Sequence, residues 1–221
     1  MNLDWLSGKD RVLLESTPLL PAPRFGSMPD MAVGGVRYIV ARDGVYVEGR
    51  SRYVHARGQI QAVDGLPFGE IETVFTLAHG LIPGEMQSEQ IAMARESLPN
   101  EWAGLVVGGR DGYALVVPEA EEATAGSVRY SASACDPLDL VLDTHSHGAG
   151  AAYFSGTDDR DDAGNPSPAF LAQVIGGLRP DDARHMLARR LIIGGWAFDL
   201  ESMKCLGQLQ ARPAHQANVP C

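Results

Sequence analysis

Two histidines one residue apart, His145 and His147, follow an apolar run from Leu138 to Leu142. The run reads as a buried strand. Residues i and i+2 of a strand point to the same face, so the two imidazoles project side by side, as two neutral ligands of one metal must. Ser155 and Asp158 come ten and thirteen residues after His145. The Gly/Ala-rich stretch from Gly148 to Ala152 lets the backbone fold back between them. Two His nitrogens and one Asp oxygen make a three-ligand zinc set with a fourth position left for water, the pattern of a catalytic rather than a structural zinc. A lone His-x-His on a strand is weak evidence, and the Ser and Asp at these offsets strengthen it. Upstream, Glu101 precedes a small-residue, apolar strand, Ala103 to Gly108.

Glu101-x-x-Gly104-Leu105-x-x-Gly108, followed by His145-x-His147, Ser155 and Asp158, resembles the motif of the JAMM (MPN-plus) metalloproteases. The resemblance spans roughly residues 84 to 205 and rests on five positions in two separated segments. Within the family the likeness is greatest to the JAMM-like proteins of bacterial PRTRC systems. One departure is Gly148, where the family usually has Pro after the second His, which bears on the rigidity of the turn. The resemblance implies an α/β (α+β) fold, a mixed β-sheet flanked by helices and similar to cytidine deaminases. It implies one zinc ion per chain on His145, His147 and Asp158. Glu101, bonded to the water and not to the metal, would carry the proton to the leaving amine. Ser155 would donate to the oxyanion, a contribution of about 3 kcal/mol if well aimed. The reaction would be amide or isopeptide hydrolysis that processes or deconjugates a ubiquitin-like or sulfur-carrier-like protein, with an E1-like protein as a further partner.

Two rivals stand beside it. A non-catalytic MPN-type scaffold keeps the fold for assembly, but has no physical need for three zinc ligands and an acid. A zinc deaminase would need His-x-Glu and Pro-Cys-x-x-Cys, and the chain has no Cys-x-x-Cys.

Other elements must position these residues. Gly84 to Leu98 reads as a helix with an Ile91, Ala94, Leu98 stripe, ended by Pro99, which delivers the chain to Glu101. Leu105 to Val117 reads as strand, Gly-rich turn, strand. Its glycines are no phosphate cradle, because no Lys-Ser or Lys-Thr helix follows. Ser127 to Ser133 is a further strand. Glu119, Glu121 and Glu122, and the acids from Asp159 to Asp162, read as solvated loops. Ser167 and Pro168 read as a helix start, with Phe170, Leu171, Val174 and Ile175 as its buried face and Gly176-Gly177 as its stop. Arg189 to Leu200 gives the last strand or strand pair.

The chain divides into a Pro-rich segment (1–30) that drapes over the body or leads into it, an accessory antiparallel β unit (31–80), the JAMM-like domain (81–205) and a polar tail (206–221). In the accessory unit, Arg42-Asp43-Gly44 marks a hairpin. His55 and His79 lack ligand spacing and read as surface or packing residues.

Of the 221 residues, 45% are apolar, which suits a globular core. Acidic residues number 28 and basic ones 18, a net charge of −10 that disfavours nucleic acid. The three cysteines, Cys135, Cys205 and Cys221, form no framework and favour a reducing compartment. Cys135 reads as a small buried residue rather than a nucleophile. Met1 to Arg11 lacks signal-peptide features, and no stretch reaches the ~20 apolar residues of a membrane span. The expected location is the cytoplasm.

Overall fold

The computed structural model describes residues 6–130 and 134–210. The chain opens with α1 (Gly8–Ser16), started by a capping box between Ser7 and Asp10. β1 (Leu19–Pro21) then adds in parallel to β2 (Gly35–Ala41). The N-terminal segment is thus more regular than its prolines suggest: helix and edge strand fit before and between them. It also drapes over the body. Ala22 packs with Ile39, Ala41 and Tyr46, and its N–H donates to the carbonyl of Val40.

β2, β3 (Gly44–Arg50), β4 (Val54–Ala62) and β5 (Val74–Leu77) follow as an antiparallel meander, giving a five-stranded sheet in the order β1-β2-β3-β4-β5. The first reversal falls on Arg42-Asp43, where the sequence marks it.

α2 (Gly84–Glu96) leads into a second sheet. Its strands are β6 (Ala103–Gly109), β7 (Gly112–Val116), β10 (Leu140–Ser146), β11 (Ala169–Gly176), β12 (Met186–Ile193), β13 (Trp196–Asp199) and β14 (Cys205–Gln208). Their order is β14-β13-β12-β11-β10-β6-β7, with only β10 and β11 parallel. β8 (Ala120–Thr124) and β9 (Ser127–Tyr130) form a separate hairpin. The acids Glu121 and Glu122 are therefore in a strand, although exposed as expected. α3 (Gly156–Gly164) joins β10 to β11.

Three readings of the sequence are corrected. Residues 167–177 hold a strand and no helix. All eight residues of β11 are buried, and a strand covered on both faces shows a continuous apolar run that mimics a buried helix. The acids from Asp159 to Asp162 lie in α3, not in a loop. The last pair of strands is joined by β14, which reaches Gln208 and so takes in the first residues of the tail read from 206; residues 211–221 lie outside the described residues, as do the last residues of the strand read from Ser127 to Ser133.

The two sheets share one core. Val47, Val54 and Ala56 of the first pack with Val106, Val141, Leu171, Leu191, Ile193 and Phe198 of the second. Close approach requires Gly58, where a Cβ would lie 2.3 Å from the Phe198 ring. On the same side, Ile91 and Ala94 of α2 pack against Ile175, Leu178 and Trp102. Leu98, just past the helix, joins them. The opposite face carries Leu105, Leu140, Phe170, Ala172 and Ile192, covered in part by Phe154 and Tyr130. α3 lies on this side, so the mixed sheet has helices on both faces. Among the described residues, no helix is long and apolar enough to cross a membrane.

Candidate metal centre

A register shift between Leu140 and Leu142 decides which way the histidines point. Leu140 packs on the face of α3, whereas Val141 and Leu142 both pack toward the first sheet. Such a bulge resets the two-residue alternation. Asp143 and His145 then fall beside Ala172 and Val174 of β11. His147 lies one residue past the strand, held by a bond from its N–H to the carbonyl of Ile175.

The turn after His147 is tight. Gly148 has φ +51°, a left-handed conformation that proline cannot adopt. The carbonyls of Gly148 and Gly150 accept from the N–H groups of Leu178 and Gly177, at 2.9 and 2.6 Å. Where the JAMM motif usually has proline, this chain has a different turn, fixed by backbone bonds to the end of β11. It brings the Ala151 carbonyl 3.1 Å from Nδ1 of His147. An Nδ1–H donated there leaves Nε2 as the free lone pair.

Ser155 caps α3. Its Oγ accepts from the N–H groups of Thr157 and Asp158 at 3.2 and 3.3 Å, and its N–H donates to Asp158 Oδ2 at 2.6 Å. The Ser-x-x-Asp spacing is therefore a capping box, and the cap aims the carboxylate. Asp158 Oδ1 lies 3.2 Å from His145 Nε2, and Oδ2 lies 3.8 Å from His147 Nε2. The two Nε2 atoms are 3.2 Å apart. His145, His147 and Asp158 could hold a metal ion, with one ligand atom from each within 4.8 Å of the others.

Glu101 sits just ahead of β6 and is only 9% exposed. It lines the same cleft, of about 670 Å³, as His145, His147, Ser155 and Asp158. Burial pushes its carboxyl up; His145 opposes this and Asp158 adds to it. Burial works against a charge on His145 as well, but the Asp158 carboxylate outweighs it and raises the imidazole above its usual value. His147 moves down, through burial and the neighbouring His145. The Asp158 carboxyl falls to about 2, because bonds from His145 and Ser155 overcome its burial.

Sequence reasoning missed several supporting groups. Ser146, fully buried between the two histidines, accepts from the Trp102 N–H at 2.8 Å and so ties down the residue after Glu101. Tyr130 of the hairpin donates to Asp143 at 2.5 Å. Arg190 of β12 pairs with Asp159 and Asp162 of α3. Burial pushes the Asp162 carboxyl up to about 7, and the Arg190 guanidinium restrains the rise. The i, i+3 spacing of Asp159 and Asp162 was the available signal.

The remaining candidates lie elsewhere or are inert. His55 bonds Glu48, and His79 packs between Tyr53 and Tyr113. Cys135 is half-buried on the cleft wall, and burial raises its thiol, which disfavours a nucleophile.

Residues 83–191 match the family model described as prokaryotic homologs of the JAB domain. The chain carries a JAB-like domain. Glu101, His145, His147, Ser155, Asp158 and Arg190 all fall within it. Residues 7–78, which include the whole first sheet, match a model described as a domain of unknown function, DUF2016. No curated protein matches the chain. A solution structure of a protein from Salinibacter ruber is 16% identical, over 61% of this chain and 92% of that one, with a TM-score of 0.32.

Proposed function

We propose that this protein is a zinc-dependent metallopeptidase or isopeptidase of the JAMM type that hydrolyses an amide bond in a ubiquitin-like or sulfur-carrier-like protein. The observation that carries the reading is the convergence of two imidazole nitrogens and one carboxylate oxygen in a cleft that also holds a buried glutamate. The donor set fits zinc. In a tetrahedron with ~2.0–2.1 Å bonds, ligand atoms lie about 3.3 Å apart, close to the 3.2 Å between the two Nε2 atoms and the 3.2 Å from His145 Nε2 to Asp158 Oδ1, while Oδ2 accepts the Ser155 N–H. The bond from His147 to the Ala151 carbonyl supports the tautomer such an ion requires.

A bound ion would supply Lewis acidity and an activated water. The protein's own residues do the rest. The Glu101 carboxylate takes a proton from the attacking water and passes it to the leaving nitrogen; its upward shift brings it nearer the range where one group both accepts and donates. The Ser155 Oγ accepts two backbone N–H bonds, so its own O–H remains able to donate to the carbonyl oxygen as charge builds. The likeness to PRTRC-type proteins favours a small ubiquitin-like partner, an E1-like protein nearby and a cytoplasmic setting.

The test is metal content and cleavage. Wild type purified without a histidine tag is expected to hold about one zinc per chain, lost in His147→Ala. Glu101→Gln is expected to keep the zinc and to lose about 10²–10⁴ of the rate of tail cleavage from a ubiquitin-like fusion. Wild type that takes up no zinc even when it is added back would sink the enzyme and leave a JAB-like scaffold.

A further inference from the structure

α3 presents a physical problem. It is nine residues long, GTDDRDDAG, and none of them is buried. A helix this short is marginal in water without tertiary support, and here no apolar face provides it. Yet its first turn carries Asp158, and its cap is Ser155.

Besides the contact of Asp158 with the histidines, the support comes from Arg190. Arg190 projects from β12 beside Ala172, on the face of the sheet that α3 covers, and is only 4% exposed. Its Nη1 donates to Asp159 Oδ1 at 2.6 Å, and its Nε and Nη2 donate to Asp162 Oδ2 at 2.9 and 2.7 Å. Its Cζ lies 3.8 Å from the centroid of the Phe154 ring. Phe154 immediately precedes the cap, and Asp159 and Asp162 lie one turn apart on the helix. One guanidinium therefore grips the chain on both sides of Ser155 and Asp158. A planar fork with five donors can do this where an ammonium cannot.

We propose that Arg190 is a positioning residue that holds α3 on the sheet and thereby sets Asp158 and Ser155 over the histidine pair. Its hydrogen bonds go to Asp159 and Asp162 and not to a ligand atom, and it does not line the cleft. The inference rests on the metal reading only for its consequence. The clamp itself needs no metal ion.

The experiment compares wild type, Arg190→Met and Arg190→Lys by amide hydrogen exchange without metal and by zinc affinity in chelator competition. Arg190→Met is expected to lose protection selectively in residues 156–164 while β10 and β11 keep theirs. Its zinc affinity is expected to fall about 10- to 100-fold, the range for residues that orient metal ligands. Arg190→Lys keeps the charge without the fork and is expected to fall between. A merely structural role would lower protection across the sheet and leave the affinity of the folded protein unchanged. Should Arg190→Met fail to fold, the paired Asp159→Asn, Asp162→Asn variant carries the same test from the exposed helix. If wild type takes up no zinc, the function reading fails, and exchange in α3 still decides the clamp. If wild type binds zinc and a folded variant keeps both α3 protection and affinity within about twofold, the clamp alone is wrong.

Discussion

At the scale of single residues, the pair His145–Asp158 is the most consequential contact. In the metal-free protein, burial disfavours a charged imidazole, but Asp158, Asp143 and Glu101 outweigh it and raise His145. A metal requires the neutral ring and must displace that proton. Affinity is then independent of pH above the raised value and falls below it. We expect zinc affinity in chelator competition to drop about tenfold per pH unit once His145 is protonated in the free protein. A profile that stays flat from pH 8 to 5.5 would contradict the assignment. Asp158→Asn should abolish high-affinity binding and also remove the largest cause of the upward shift, which a histidine titration by NMR would read directly.

At the scale of elements, β10, the turn after it and α3 each supply one piece of the site, joined by short loops. The turn is where this chain departs from the motif it resembles. Pro at 148 would demand φ near −65°, whereas Gly148 sits at +51°. Gly148→Pro, although it matches the residue usual in the JAMM motif, is expected to destabilise the protein by more than about 1 kcal/mol. It should also weaken zinc binding by displacing the Ala151 carbonyl from His147. Urea unfolding and metal competition measure the two effects, and an unchanged or improved variant would refute the role given to this turn.

At the scale of the whole molecule, the first sheet forms one side of the core beneath the site. Gly58→Ala puts a methyl group against the Phe198 ring. It is expected to cost about 1–3 kcal/mol by overpacking, read as a lower urea midpoint. Unchanged stability would mean that the sheets do not pack this closely. The outer side of the first sheet is held by Glu48, 1% exposed, which bonds Arg37, His55 and Arg57 at 2.6, 2.8 and 2.7 Å. Burial alone would raise its carboxyl, but these three bonds lower it below 4.5. The depressed value means that the folded state binds fewer protons than the unfolded one. The stabilisation is therefore complete above pH 4.5 and disappears as pH falls through the folded value. Glu48→Gln should lose about 3 kcal/mol at pH 7 and show a flatter loss of stability in acid. A variant with the wild-type acid profile would exclude Glu48 as its source.

Much of the site was legible in the chain because its chemistry is local. His145 and His147 sit at the end of a strand with a two-residue period, and Ser155 and Asp158 are spaced as a capping box, so type and spacing suggest a three-ligand set, whereas the acid Glu101 is nominated only by the resemblance to the JAMM motif. The same locality misled elsewhere. The apolar run of β11 is equally a helix or a strand until both its faces are covered, and the acids of α3 look solvated until Arg190, some thirty residues later, is brought against them. What the tertiary structure alone decided is direction. The bulge in β10 turns the histidines toward α3, the backbone bonds of Gly148 and Gly150 to the end of β11 close the turn, and Arg190 fixes the helix. Each depends on a partner distant in sequence, which periodicity and propensity do not encode.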